Sequence, residues 1–447
     1  ALPSDLDAAL ALLDLLEFEQ DWVAAQVVAE RAAELQSDGR GRAELWAHAG
    51  RIAQQQLADE PRALGCFERA LVEDPDDLQT QAMIGRIYWE RQDAQEALPH
   101  LLSAAAGLSD PELAAELYVM AGEAADSLGN SESARKAYTA VLEFSPTHRR
   151  ALDRAGQLAA QSEDWERVYE LGAQLILHHE AQLGEPERAD IYARMARSKL
   201  IEGESKAAIR LATKAFRLDE RNVDVMRLQA EAHEAFGDAF EAAEWYKRAA
   251  PLLDVKERRD ALVRAGTLLE TSGDVARAAS MLAEAQAVAP SDEKVAELLA
   301  RARFALGDAR GSGEAWAVTA ETKTGRTQAN LLMEAARPML GVRGEGDRAR
   351  QLLEQALHQT PTHAAAFQAL RTRLAYEGDS APLASLVERA AEAFSDDPDT
   401  QVDAPGGDRP QAARQLWSDA FEIHRDQARN PQGALRTLKR LMDASAD

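Results

Sequence analysis

The sequence predicts an all-α protein, built as an array of about twelve helix–turn–helix pairs. Three observations carry this. The 447 residues are rich in Ala, Leu, Glu and Arg, which favour helices, and only 5% are aromatic. A small residue recurs midway through successive helical stretches, at Gly50, Gly85, Gly122, Gly156, Ala196, Ala230, Gly266 and Ala300, at intervals of 35, 37, 34, 40, 34, 36 and 34 residues. Two distant segments, SLGNSESARKAYTAVLEFSP (Ser127–Pro146) and TSGDVARAASMLAEAQAVAP (Thr271–Pro290), share a spacing while most of their letters differ. A spacing kept without its sequence is the mark of a reused packing unit.

In chain order the pairs start near residues 5, 41, 77, 111, 148, 188, 222, 257, 292, 326, 363 and 410. The corner of many pairs is marked by a glycine followed by Asn, Glu or Asp: Gly129, Gly203, Gly237, Gly273, Gly307 and Gly378. Such a glycine closes one helix in the left-handed conformation, and Asn or Asp caps the next. Five residues on come Ala134, Ala208, Ala242 and Ala278, with Ser312 and Leu383 as exceptions; four further come Tyr138, Ala212, Tyr246, Leu282, Trp316 and Val387. These steps keep small and bulky residues on one helical face, so two helices approach closely and the bulky residue fills the gap. Pro75, Pro146, Pro290 and Pro361 end their helices, because proline cannot continue the hydrogen-bond ladder. Trp22, Trp165 and Trp316 are assigned to packing, and so is Cys66 beside Phe67.

Several pairs depart from the pattern. ADEPRAL (Ala58–Leu64) and ARNPQGAL (Ala428–Leu435) each carry one extra turn residue. The fifth pair has a long second helix running through LILHHEAQLGE, and the tenth has an enlarged turn, RPMLGVRGEGDR (Arg337–Arg348). SDDPDTQVDAPGGDRP (Ser395–Pro410) reads as a linker. The expected organisation is an array over residues 1–394 of about eleven pairs, a linker over 395–410 and a terminal pair over 411–447.

On these residues the chain resembles the tetratricopeptide repeat family, whose unit is a helix–turn–helix of roughly 34 residues. AGTLLETSGDVARAASMLAEAQAVAP (Ala265–Pro290) is one close copy; AMIGRIYWERQDAQEAL (Ala82–Leu98) is another, with Ile84, Gly85 and Tyr88 in the family's spacing. Trp46 stands four residues before Gly50, where the family favours an aromatic. The resemblance covers nearly the whole chain. It implies a right-handed α-solenoid whose first helices line an inner wall, a protein or peptide partner, and no cofactor.

Composition narrows the function classes. A formal net charge of −25 repels polyanions, so no nucleic acid is expected. Wholly apolar runs are short, so no membrane insertion is expected. One cysteine allows neither an internal disulfide nor a cysteine-based zinc site. GESKAAI (Gly203–Ile209) lacks the ending of a phosphate loop, and His178 and His179 are adjacent, off the spacing of two metal ligands on one helical face. His148 and His363, in SPTHRRAL and TPTHAAAF, stand at equivalent points and read as helix starts. No catalytic, metal or cofactor residue emerges, and an enzyme is not expected. The N-terminus carries neither a basic region nor an apolar signal core, and no initiator Met. That fits a processed or excised chain, expected in the cytoplasm; an exported chain trimmed of its leader would read alike.

On the inner wall, the positions after the glycine mark include Arg51, Arg86, Glu123, Gln157, Glu231 and Arg301; three residues on come Glu17, Gln54, Trp89, Asp126, Glu234 and Glu270. Arg51 and Arg86, with Gln54, Gln55 and Trp89, form the candidate site, a peptide-binding patch for an acidic or C-terminal segment. Arginine pairs bidentately with carboxylates, and an exposed Trp offers a large contact surface. The Lys and Asn groups with which chaperone-binding family members clamp a terminal carboxylate do not occur at the matching positions. The expected function is a non-enzymatic scaffold binding a partner in the groove. Alternatives are a regulatory arm of a larger bacterial protein, a helical-repeat RNA binder, which should be basic, and self-association through the open ends of the array.

Overall fold

A computed structural model describes residues 5–396 and 409–443. Among them are twenty-four α-helices and no strand. Contacts divide the chain into two units, Ala1–Glu220 and Arg221–Asp447. The first holds α1 (Leu6–Phe18), α2 (Trp22–Leu35), α3 (Gly39–Arg51), α4 (Glu60–Glu73), α5 (Leu78–Glu90), α6 (Ala94–Gly107), α7 (Pro111–Ser127), α8 (Ser131–Phe144), α9 (Arg149–Gln161), α10 (Trp165–His179), α11 (Glu185–Ile201) and α12 (Ser205–Leu218). The second holds α13 (Val223–Phe236), α14 (Ala239–Ala249), α15 (Val255–Thr271), α16 (Val275–Val288), α17 (Glu293–Ala305), α18 (Ala309–Ala320), α19 (Gly325–Ala336), α20 (Gly346–Gln359), α21 (Ala364–Glu377), α22 (Ser380–Asp396), α23 (Arg409–Glu422) and α24 (Pro431–Asp443). Within each unit every helix packs on its neighbours in sequence, which is the architecture of a helical solenoid. Most of the expected linker, residues 397–408, lies outside the described residues.

The small residues are small for a measurable reason. A Cβ built on Gly122 would lie 2.7 Å from the Tyr138 ring, one on Gly85 2.9 Å from Leu101, and one on Gly266 2.7 Å from Leu282. Each pair joins the first helix of a hairpin to its second. Tyr138, Leu101 and Leu282 are fully buried, so the bulky residue occupies the space the glycine leaves. A single hairpin cannot cover both sides of its apolar stripe; stacking covers them.

The corners close by one rule. The amide of the capping residue reaches back five residues, as in Asn130 N–H to the Ala125 carbonyl and Asp238 N–H to the His233 carbonyl, both 2.9 Å. The residue before it has a positive φ. All six corner glycines named from the sequence take that conformation, but so do Gln20, Ala58, Gln92, Glu163 and Arg429, which the glycine signal could not find. Asn130 and Asp238 then accept the amides of Ser133 and Glu241. Glu204, at the equivalent place, makes no such side-chain cap.

The irregular pairs resolve into specific devices. The two extra residues are absorbed as π-helical turns, Ile52–Gln56 and Ile423–Gln427, and the closing bond reaches back six residues, Asp59 to Ala53 and Asn430 to His424, both 2.9 Å. The expected long helix of the fifth pair instead stops at His179, followed by a 3-10 turn over Glu180–Gln182. Leu183 tucks into the core, and α11 starts with Pro186 in its first turn and the Glu187 carboxylate accepting the Gly184 amide at 2.9 Å. His148 and His363 are N-caps, each accepting a backbone amide through Nδ1, from Ala151 at 3.2 Å and Ala366 at 3.1 Å. Cys66 is buried; burial and the neighbouring Glu30 carboxylate push its thiol up to about 11. Trp22 and Trp316 pack half-buried against core clusters. Among the described residues, no helix is long and apolar enough to cross a membrane.

Candidate protein-binding groove

In the first unit the first helices of successive hairpins, α5, α7, α9 and α11, present one side to a groove. One stretch, about 730 Å³, is lined by Trp89, Glu112, Glu116, Val119, Met120 and Glu123. The next, about 890 Å³, is lined by Val119, Asp153, Arg154, Gln157, Leu183 and Ile191. Val119, His148 and Arg150 border both, so the two are continuous. The larger stretch lies where the sequence interval lengthens to 40 residues, between Gly156 and Ala196. There the second helix contributes Gly172 rather than a bulky residue, and the Met195 side chain from α11 lies 2.8 Å from where a Gly172 Cβ would sit.

Charged residues bridge neighbouring first helices along this wall. Arg86 meets Glu116 at 3.0 Å, and Arg150 pairs with Glu123. Arg154 holds Asp126 at 2.8 Å, Arg194 holds Asp153 at 2.8 Å, and Arg149 reaches Glu187 at 3.1 Å. The end at Trp89 is acidic, with Glu112, Glu116 and Glu123; further along, Arg149, Arg150 and Arg154 alternate with Asp153, Glu187 and Asp190. Behind the wall, the buried Tyr138 hydroxyl donates to Asp126 at 3.0 Å. Burial and the Asp126 charge raise the phenol pKa, so it stays a donor. Burial and the nearby Arg150 lower the His148 pKa, which suits a ring whose Nδ1 must accept the Ala151 amide. The second unit repeats the device: Tyr246 donates to Glu234 at 3.1 Å, Arg264 Nε reaches the same carboxylate at 3.1 Å, and Arg301 holds Glu270 at 2.6 Å.

The five candidate residues sit on two hairpins. Arg51 ends α3, and Gln54 and Gln55 lie in the π-helical turn, a geometry the extra residue forces. Gln54 is half-buried and its Oε1 finds no hydrogen-bond partner. Arg86 and Trp89 lie on α5, where Arg86 is already paired and Trp89 packs half-buried against a core cluster at the mouth of the groove. Trp89, Glu123 and Gln157 line the groove as the inner-wall reading expects. The reading missed the partners Glu116, Arg150 and Arg154. Their signal is an opposite charge about one repeat further on, set a turn or more nearer the start of its helix. Among the described residues, no group of three or more His, Cys, Asp or Glu is arranged to hold a metal ion.

Sequence profiles of the tetratricopeptide repeat match residues 115–148, and 52–112 with 194–254. No curated protein matches the chain. Among solved structures, the protein MamA is 18% identical, with 40% of this chain and 94% of that one covered and a TM-score of 0.35. YrrB, described as a TPR protein with an unusual peptide-binding site, is 16% identical over 41% of this chain and 90% of its own, with a TM-score of 0.32. The C-terminal part of a TPR repeat-containing protein from Cytophaga hutchinsonii is 12% identical over 56% and 98%, with a TM-score of 0.37.

Proposed function

This chain is a tetratricopeptide repeat protein, and from that premise we propose that it is a non-enzymatic scaffold holding an extended segment of a partner protein in the first-unit groove. The continuous groove from Trp89 to Ile191, with an apolar floor and charged walls, carries this reading. Trp89, Val119 and Met120, each half-buried, supply contact area that a partner would desolvate, and such area dominates binding energy. The charged walls are already paired within the chain, so little reorganisation is needed when a ligand arrives. At one end, a carboxylate of the partner would compete with Glu116 for Arg86, and Arg51, Gln54 and Gln55 would extend the contact onto the preceding hairpin.

Affinity capture followed by titration calorimetry with the captured partner tests the reading. Val119→Glu, and Arg86→Glu combined with Trp89→Ala, are each expected to weaken binding at least tenfold, with the helical circular dichroism retained. Unchanged affinity in Val119→Glu would overturn the groove. Unchanged affinity in the Arg86/Trp89 variant alone would remove only that end.

A further inference from the structure

The stretch of groove at Trp89 carries more negative charge than its own cations balance. Glu112, Glu116 and Glu123 border it, against the single guanidinium of Arg150, which already pairs with Glu123. Burial and Arg150 hold the neighbouring His148 toward its neutral form. Glu112 and Glu116 stand one turn apart on α7, a spacing at which like charges repel. Arg86 meets Glu116, but its side chain is 32% exposed where that of Glu116 is 65%, so the carboxylate is the outer member of the pair. Glu112 is exposed and, among the described residues, meets no cation.

Apolar and aromatic surface lies among these charges. Trp89, Val119 and Met120 are half-buried there, and Phe144, stacked on Tyr118 with ring centroids 6.2 Å apart, is still 45% exposed. Several aromatic rings elsewhere in the chain carry a cation of their own. Arg69 lies 4.6 Å from the Trp46 ring centroid, Lys199 4.2 Å from that of Tyr169, and Arg277 4.4 Å from that of Phe240. Among the described residues, Trp89 and Phe144 carry none. We propose that this stretch receives a lysine or arginine side chain of the partner, and that the segment held in the groove is basic. The aliphatic stem would lie along Val119 and Met120, and the charged head over the Trp89 or Phe144 ring, beside Glu112 and Glu116. An acidic side chain placed there would instead face three carboxylates. The inference rests on the groove being the partner site, and names what the partner brings to it. A partner carboxylate that took Arg86 from Glu116 would reinforce it, because Glu116 would then stand unpaired beside the incoming cation.

Two nine-residue peptides blocked at both ends, one alternating Arg with Leu and one alternating Glu with Leu, test this by calorimetric titration into the full chain. The basic peptide should bind about tenfold tighter or more, and its affinity should fall as salt rises from about 50 to 500 mM. Glu112→Gln with Glu116→Gln should weaken it about fivefold or more. Trp89→Leu with Phe144→Leu, which keeps apolar bulk without a ring face, should also weaken it. The chain has a net charge of −25, so an equal loss of charge elsewhere is the control. Glu354→Gln with Glu392→Gln, both exposed on α20 and α22, should leave the affinity unchanged. Circular dichroism verifies that each variant folds. Equal affinity for the two peptides overturns the proposal, and so does a control that weakens binding as much as the groove variants do. The captured partner separates this proposal from the groove itself. If Val119→Glu weakens its binding but Glu112→Gln with Glu116→Gln does not, the groove stands and the cation site falls; if neither does, both fall.

Discussion

Tyr138 and Asp126 stand on the two helices of one hairpin, and the tyrosine hydroxyl donates to the carboxylate at 3.0 Å while Arg154 from the next hairpin grips the same carboxylate. One residue thus ties the inside of a repeat to its neighbour. Tyr138→Phe removes the donor and is expected to destabilise this region by about 1–2 kcal/mol. The loss should appear as faster amide exchange in α7 to α9, and Tyr246→Phe should act likewise around Glu234. Exchange unchanged in both would show that the carboxylates are satisfied by water and Arg alone.

The close approach at Gly122 gives a second test. Gly122→Ala drives a methyl into the Tyr138 ring and should cost about 1–3 kcal/mol, despite alanine's better helix propensity. At Gly156 the nearest atoms are an Arg194 nitrogen at 3.1 Å and the Leu171 Cβ at 3.7 Å. Gly156→Ala should therefore be neutral or stabilising by up to about 1 kcal/mol. Local exchange protection compares the two directly.

Corners that lack glycine hold strain. Gln92 and Glu163 sit at φ values of 61° and 58°, where a side chain is disfavoured. Gln92→Gly and Glu163→Gly should each stabilise their corner by about 0.5–1 kcal/mol, and Gly237→Ala should destabilise its own by a similar amount. Thermal midpoints of the three variants should move in those opposite senses.

His148 confers a pH dependence of definite sign. Its folded pKa is lowered, chiefly by burial and then by Arg150, so folding favours the neutral ring. The stability it contributes is complete above the ordinary histidine value of about 6.5 and is lost as pH falls below that, through the lower folded value. His148→Asn, which caps without a titrating ring, should flatten the acid limb of the stability profile between about pH 6.5 and 5 relative to the unaltered chain. An identical acid limb would mean the ring is not the accepting cap.

Most of the fold was legible because repeat packing leaves a signature in spacing. First helices begin at 6, 39, 78, 111, 149, 185, 223, 255, 293, 325, 364 and 409, close to the starts read from the periodicity. The glycine contacts with Tyr138 and Leu282 were implied by bulky residues at fixed offsets from the corner glycines, whereas that of Gly85 with Leu101, whose corner carries Gln92, was not read. What spacing could not reveal was where side chains meet across repeats. Arg86 looked like an open anion receptor, and its partner Glu116 lies thirty residues away on another helix. The left-handed corner at Gln92 was equally hidden, since a residue that merely tolerates a strained conformation announces nothing. The groove itself was expected from the family resemblance, but the place of its larger stretch, at the one long interval, was not read from the sequence.

The π-helical turn at Ile52–Gln56 bears on how such an array changes over time. An inserted residue inside a helix would ordinarily rotate everything after it by about 100° and turn buried positions outward. Here the surplus is confined to a wider loop of backbone, and α4 still brings Phe67 beneath Gly50, seventeen residues on instead of the sixteen that separate Gly122 from Tyr138. Single-residue length changes can thus be written into one brick without rewriting the next, so the chain can drift in length while its lattice of neighbours stays intact.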